Sequence, residues 1–109
     1  MRDDRLIVEE MLDAIERIEK YAARGRGEFS ENELIQTWIV HHLQIMGEGA
    51  RKLSSEFRSR FPGIPWKQIV AMRHILVHDY FGVDLDQVWS AVETDVPVLK
   101  GQLREALEN

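Results

Sequence analysis

Along almost the whole of this 109-residue chain the apolar side chains recur every three or four residues, and nowhere do they alternate as in a strand. That period places them on one stripe of a helix, and stripes of that kind must be covered by other helices. From Arg5 to Ala23 the stripe is Leu6, Ile7, Met11, Leu12, Ile15, Ile18 and Tyr21/Ala22, with Glu9, Glu10, Asp13, Glu16, Arg17 and Lys20 largely outside it. Gly25-Arg26-Gly27 is expected to stop this helix, and Ser30 with Glu33 has the spacing of a capping box for the next. The second helix is expected from about Glu31 to about Leu53, through Leu34, Ile35, Trp38, Ile39, His42, Ile45 and Met46. A short helix is expected at Ser55–Arg60, then an apolar turn, Phe61-Pro62-Gly63-Ile64-Pro65-Trp66. Pro65 suits the first turn of a helix running from Trp66 to about Tyr80. Gly82 ends that helix and Asp84 caps a fifth, which Pro97 is expected to kink or restart with Asp95 available as a cap. The pattern predicts an all-α fold: an antiparallel, up-and-down bundle of four to five helices in a single domain, residues 1–109.

Composition narrows the chemistry. Without cysteine there are no disulfides, thiolate nucleophiles or thiolate metal sites, which fits a reducing cytoplasm. No secretory pattern opens the chain, and no apolar run approaches the roughly 20 residues that span a bilayer. The net charge of −5 disfavours nonspecific coating of nucleic acid. Yet between Gly47 and His74 six bases (Arg51, Lys52, Arg58, Arg60, Lys67, Arg73) face two acids, Glu48 and Glu56, a net +4 that leaves −9 elsewhere. Such a segment reads as a solvated helical face or as a local phosphate-attracting surface, and charge alone does not choose.

Of the four histidines, His41 and His42 lie mid-helix on different faces and read as structural, one of them packed or meeting a polar contact. His74 and His78 are four apart, so both imidazoles share a face. That spacing can hold zinc once a third ligand arrives. Asp79 and Asp84 complete no recognised pattern, so neither metal nor cofactor is expected. Trp38, Trp66 and Trp89 read as core or interface aromatics, and Ile69, Val70, Leu76 and Phe81 as packing.

The informative segment is Arg73-His74-Ile75-Leu76-Val77-His78-Asp79-Tyr80-Phe81. A guanidinium can grip a phosphodiester through parallel hydrogen bonds, and an imidazole can shuttle a proton near neutral pH. Together they suffice for RNA cleavage without metal: a base takes the ribose 2′-hydroxyl proton while a cation stabilises the phosphorane. On an unbroken helix, however, Arg73 and His78 stand about 140° apart. Either the helix loosens or two subunits contribute.

Arg73, four residues, His78, one residue and Tyr80 resemble the R-x4-H-x-Y signature of HepT-like proteins of the HEPN superfamily. His74 fits the polar position after the arginine. Gln44-Ile45-Met46-Gly47-Glu48, Phe61 to Trp66, Met72-Arg73, His78 to Phe81 and Val88-Trp89 resemble the family's landmarks in order. The resemblance implies a homodimeric helical bundle whose two motifs face one cleft, acting as a metal-independent RNase toxin on transfer or messenger RNA. It implies as partner an MNT-type nucleotidyltransferase antitoxin that transfers AMP to the motif tyrosine, here Tyr80. Arg73 is then assigned to phosphate and transition-state stabilisation, His78 to acid–base catalysis and Tyr80 to positioning and modification. His74 and Asp79 are second-tier, and Glu48 is expected to make a buried polar contact to the helix carrying Arg73. The superfamily also contains noncatalytic members, so a nucleotide- or RNA-binding module is the alternative reading.

Overall fold

A computed structural model describes residues 3–78 and 82–108. These residues are almost entirely helical and include no strand. The elements are α1 (Asp4–Ala22), α2 (Arg26–Glu31), α3 (Glu33–Lys52), α4 (Ser55–Arg60), α5 (Trp66–His78), α6 (Leu85–Ser90), a π turn (Ala91–Asp95) and α7 (Val96–Glu108). No helix among them is long and apolar enough to cross a membrane.

Central α3 packs against α1 on one side and α5 on the other. It runs antiparallel to α1. Asp4 at the start of α1 accepts from the Ser54 amide (2.9 Å) and hydroxyl (2.7 Å) just after α3, whereas Trp38 Nε1 near the start of α3 donates to the Arg17 carbonyl at 2.8 Å. α7 crosses α1 in the same sense, with Arg5 donating to the Leu107 carbonyl and Lys100 to Glu19. Between these rods Val8, Met11, Ile15, Ile18, Ile39, Leu43 and Leu103 lie almost wholly buried. Burying each such side chain contributes on the order of 1.5–3 kcal/mol before entropy is counted.

Three boundaries differ from expectation. Gly25 does end α1, at a φ of 93° that an L side chain rarely adopts, but Arg26 and Gly27 open the short helix α2 instead of extending a loop. Six residues are too few to be helical alone. α2 is anchored by Phe29, which is buried against Trp89 with ring centroids 5.2 Å apart. Ser30 is thereby absorbed into α2, so the expected Ser30–Glu33 capping box is not used. Asn32 caps α3 instead, accepting from the Leu34 and Ile35 amides at 3.0 and 3.3 Å.

The second difference lies at Pro97. The chain does not stop for a new helix capped by Asp95. It passes from α6 to α7 through the π turn, in which Asp95 itself lies. A proline ring collides with the carbonyl four residues earlier and has no N–H to give it. The wider turn at Ala91–Asp95 relieves that conflict while keeping the helix continuous. The third difference is small: α5 begins at Trp66, so Pro65 precedes its first residue and its carbonyl accepts from the Ile69 amide. Asp84 caps α6 as expected, accepting from the Asp86 and Gln87 amides.

Candidate functional site

The segment that carries Arg73 is positioned by the contact of α3 with α5. A Cβ placed on Gly47 would stand 2.4 Å from the Arg73 Cβ and 3.2 Å from the Ile69 carbonyl oxygen. Only the bare glycine lets the two helices meet this closely. Three residues along α3, Gln44 donates through Nε2 to the Leu76 carbonyl at 3.0 Å and ties down the far half of α5. The pairing of Gly47 with Arg73 and of Gln44 with Leu76 sets the helices antiparallel.

The next α3 residue, Glu48, makes the expected polar contact to α5. Its Oε2 lies 2.8 Å from Arg73 Nε, with the two side chains 25% and 28% exposed, so the pair is half-buried and not fully enclosed. The same carboxylate receives Arg51 Nη2 at 2.5 Å and Nε at 3.2 Å, and Lys52 Nζ stands 3.9 Å away. Three cations on one carboxylate leave the cluster with an excess of two positive charges. Hydrogen bonding from Arg51 holds the Glu48 carboxyl below its ordinary range; burial opposes this, and the fields of Arg73, Arg51 and Lys52 reinforce it. The Arg51 guanidinium is reciprocally pushed up by Glu48. Because Glu48 engages Arg73 through Nε, this contact leaves the two Nη groups, the parallel donors that suit a phosphodiester, unoccupied by it.

His74 and His78 lie on a different flank. Both are exposed, and their ring centroids are 4.4 Å apart, tilted by 47°. α5 is unbroken to His78, so the angular separation read from spacing persists: Arg73 turns towards α3 and the imidazoles turn to solvent. Within one chain the described residues do not bring Arg73 and His78 together. Asp79, Tyr80 and Phe81, and with them the expected end of this helix, lie outside the described residues. Beside the histidines, Ile75 (55% exposed) and Val77 (39% exposed) leave apolar surface uncovered.

The other singled-out residues are structural. His42 is buried and its Nδ1 lies 2.8 Å from the Trp38 carbonyl; His41 is exposed. Trp66 donates from Nε1 to the Arg58 and Phe61 carbonyls, and Trp38 stacks edge-on against Tyr21. The basic segment divides: Arg51, Lys52 and Arg73 gather on Glu48, while Arg60 lies over the Phe57 and Phe61 rings. An apolar groove of about 510 Å³ runs between α5 and the π turn and α7, floored by Leu43 and Met46. Its lining includes none of Arg73, His74 and His78. No cluster of three or more metal-ligating side chains occurs among the described residues.

Arg51, Lys52 and Gln44 are the site residues that the motif did not single out. Their signal was in the sequence as helical spacing: Gln44 and Glu48 are four apart, and Arg51 and Lys52 stand three and four beyond Glu48.

Comparison of the sequence with known proteins gives the family. A protein of Methanocaldococcus jannaschii, named as a gamma-glutamylcyclotransferase and candidate RNase, is 34% identical over 98% of this chain, which spans only 49% of that longer protein. The "Probable ribonuclease HepT" of Thermococcus cleftensis is 33% identical over 95% of this chain and 96% of its own length. A candidate RNase of Caldanaerobacter subterraneus subsp. tengcongensis is 32% identical over 99% and 97%. No solved structure matches the chain. The family described as ribonuclease HepT-like matches residues 11–106, and the chain belongs to that family.

Proposed function

We propose that this chain is a cytoplasmic, single-domain toxin of a HEPN/MNT toxin–antitoxin pair, a metal-independent endoribonuclease that works as a homodimer on transfer or messenger RNA. The observation that carries this reading is Arg73, held half-buried by Glu48 in a cluster of net positive charge on an otherwise acidic chain. An RNA phosphate drawn to that cluster meets the Arg73 Nη donors. His78 takes the ribose 2′-hydroxyl proton, and the 2′-oxygen bonds to phosphorus. The bond to the 5′-oxygen breaks, and that oxygen is reprotonated. The products are a 2′,3′-cyclic phosphate and a 5′-hydroxyl, and Arg73 stabilises the phosphorane between them. His74 and Asp79 assist as orienting groups.

A second copy supplies what one chain's helix does not. Arg73 and His78 point to different sides of α5, and the uncovered Ile75 and Val77 suit an apolar contact between copies. Two α5 helices facing across a dyad would set one chain's imidazole opposite the other's guanidinium. An MNT-type nucleotidyltransferase is the proposed antitoxin. The Tyr80 hydroxyl oxygen attacks the α-phosphate of ATP, losing its proton as pyrophosphate leaves, and the added AMP brings negative charge to the proposed RNA cleft, repelling the RNA backbone.

The separation of Arg73 from His78 within one chain also favours a second reading, a noncatalytic module that docks RNA or nucleotide. Purified protein incubated with total RNA in EDTA, beside Arg73→Ala and His78→Ala, separates the two. Fragments ending in 2′,3′-cyclic phosphate are expected from the wild type and from neither variant. Intact RNA with wild-type protein whose Tyr80 is verified as unmodified would overturn the RNase in favour of the binding module.

A further inference from the structure

The histidine pair on α5 has a use that the cleavage reading does not exhaust. His74 and His78 are one helical turn apart, both exposed, with ring centroids 4.4 Å apart. Side chains four apart on a helix are neighbours, and two imidazoles so placed can direct nitrogens at a single ion. No hydrogen bond or ion pair ties either ring to another described residue. The other pair differs. The His41 and His42 rings stand 5.1 Å apart edge to face, but His42 is buried with its Nδ1 engaged by the Trp38 carbonyl.

We propose that His74 and His78 form a two-imidazole binding site for a divalent transition metal of zinc's class, and that its occupation switches off the acid–base role of His78. Imidazole selects zinc, copper or nickel over magnesium and calcium, which prefer oxygen ligands. Zinc accepts imidazole nitrogen at about 2.0–2.1 Å in tetrahedral geometry. Among the described residues the pair supplies two ligands and no third histidine or carboxylate joins it, so the remaining positions are open to water. A site with two protein ligands exchanges its ion readily, as suits a reversible inhibitor and not a resident cofactor. The lone pair that His78 would use to take the 2′-hydroxyl proton is donated to the metal instead. The inhibitory half of this proposal rests on the proposed cleavage role of His78; the binding half does not.

Calorimetric titration of Zn2+ into untagged, chelator-stripped protein tests the site directly. Zn2+ is expected to bind the wild type and His41→Ala alike, and Mg2+ to bind neither. Tethering two ligands on one scaffold raises affinity by roughly 10²–10⁴, so His74→Ala should weaken Zn2+ binding about a hundredfold or more. His74 is exposed, and an unchanged helical circular dichroism spectrum will confirm that the variant folds. Equal affinity in wild type and His74→Ala, or no binding to the wild type, would overturn the site. In the RNA assay, excess Zn2+ is expected to stop cleavage and EDTA to restore it. Cleavage that persists at saturating Zn2+ would overturn the inhibitory role. Normal Zn2+ binding by a protein that cleaves no RNA in EDTA would leave the site standing and refute the nuclease.

Discussion

At the scale of single residues, Gly47 decides where Arg73 stands. Alanine there gains about 0.8–1.0 kcal/mol of helix propensity. It also drives a methyl group to 2.4 Å from the Arg73 Cβ and 3.2 Å from a backbone carbonyl, neither of which is the free end of a flexible chain. Overpacking of this kind costs about 1–3 kcal/mol. Gly47→Ala is therefore expected to destabilise the fold by up to about 2 kcal/mol in urea titration and to loosen the Glu48–Arg73 pair. A variant as stable as the wild type would show that α5 shifts freely on α3. Tyr80 belongs to this scale by its chemistry alone. Tyr80→Phe removes the only oxygen that could accept AMP at that position, so mass spectrometry after incubation with the nucleotidyltransferase and ATP should show no added AMP. A normal AMP shift on that variant would place the modification elsewhere. The sequence made Arg73, His78 and Tyr80 visible because a short motif carries them. It did not make Arg51 and Lys52 visible as partners of Glu48, because helical spacing alone does not say which of many charged pairs will meet.

Among the elements, α2 shows tertiary packing overriding a local signal. Ser30 and Glu33 form a sound capping box on paper, yet Phe29 draws the preceding residues into a helical turn against Trp89. Gln36 then closes the end of that turn by donating to the Phe29 and Ser30 carbonyls at 2.9 and 3.2 Å. Phe29→Ala should cost about 3–5 kcal/mol, the usual price of an aromatic core truncation, and should release α2 to fast amide exchange while α1 and α3 stay protected. Uniform protection across α1–α3 in the variant would mean that α2 holds by itself. The long helices α1 and α3 were legible to within a residue or two, since stripes of some 20 residues average out local ambiguity. The π turn was not: nothing in Ala91–Asp95 announces it, and only the need to seat Pro97 in a continuous helix explains it.

For the whole molecule, acid sensitivity follows from Glu48. A carboxyl held below its ordinary range in the folded state binds its proton less readily there than when unfolded. Its contribution is therefore complete at neutral pH, begins to fall near the ordinary glutamate value of about 4.3, and is lost as pH drops through the lowered folded value. Glu48→Gln should shrink the difference in unfolding free energy between pH 7 and pH 3 relative to the wild type. The slope will not vanish, because other carboxylates among the 19 acidic residues also titrate. An unchanged difference would mean that Arg51, Lys52 and Arg73 do not hold Glu48 in solution. Sedimentation of the wild type beside Ile75→Glu tests the second copy: a dimer is expected to become monomeric, and a wild-type monomer at micromolar concentration would remove the dyad from the cleavage scheme. By itself the sequence determined that the chain is helical and which faces are apolar, because a 3.6-residue period is a local property of covalent geometry. It also displayed the chemistry-bearing side chains of one short motif. Only the tertiary structure decided that α3 is the central rod, that Gly47 admits α5 close enough for Glu48 to hold Arg73, and that the flank bearing the imidazoles is left to solvent. Those facts depend on which helix lies against which, and such contacts join residues far apart in the chain, beyond the reach of any local pattern.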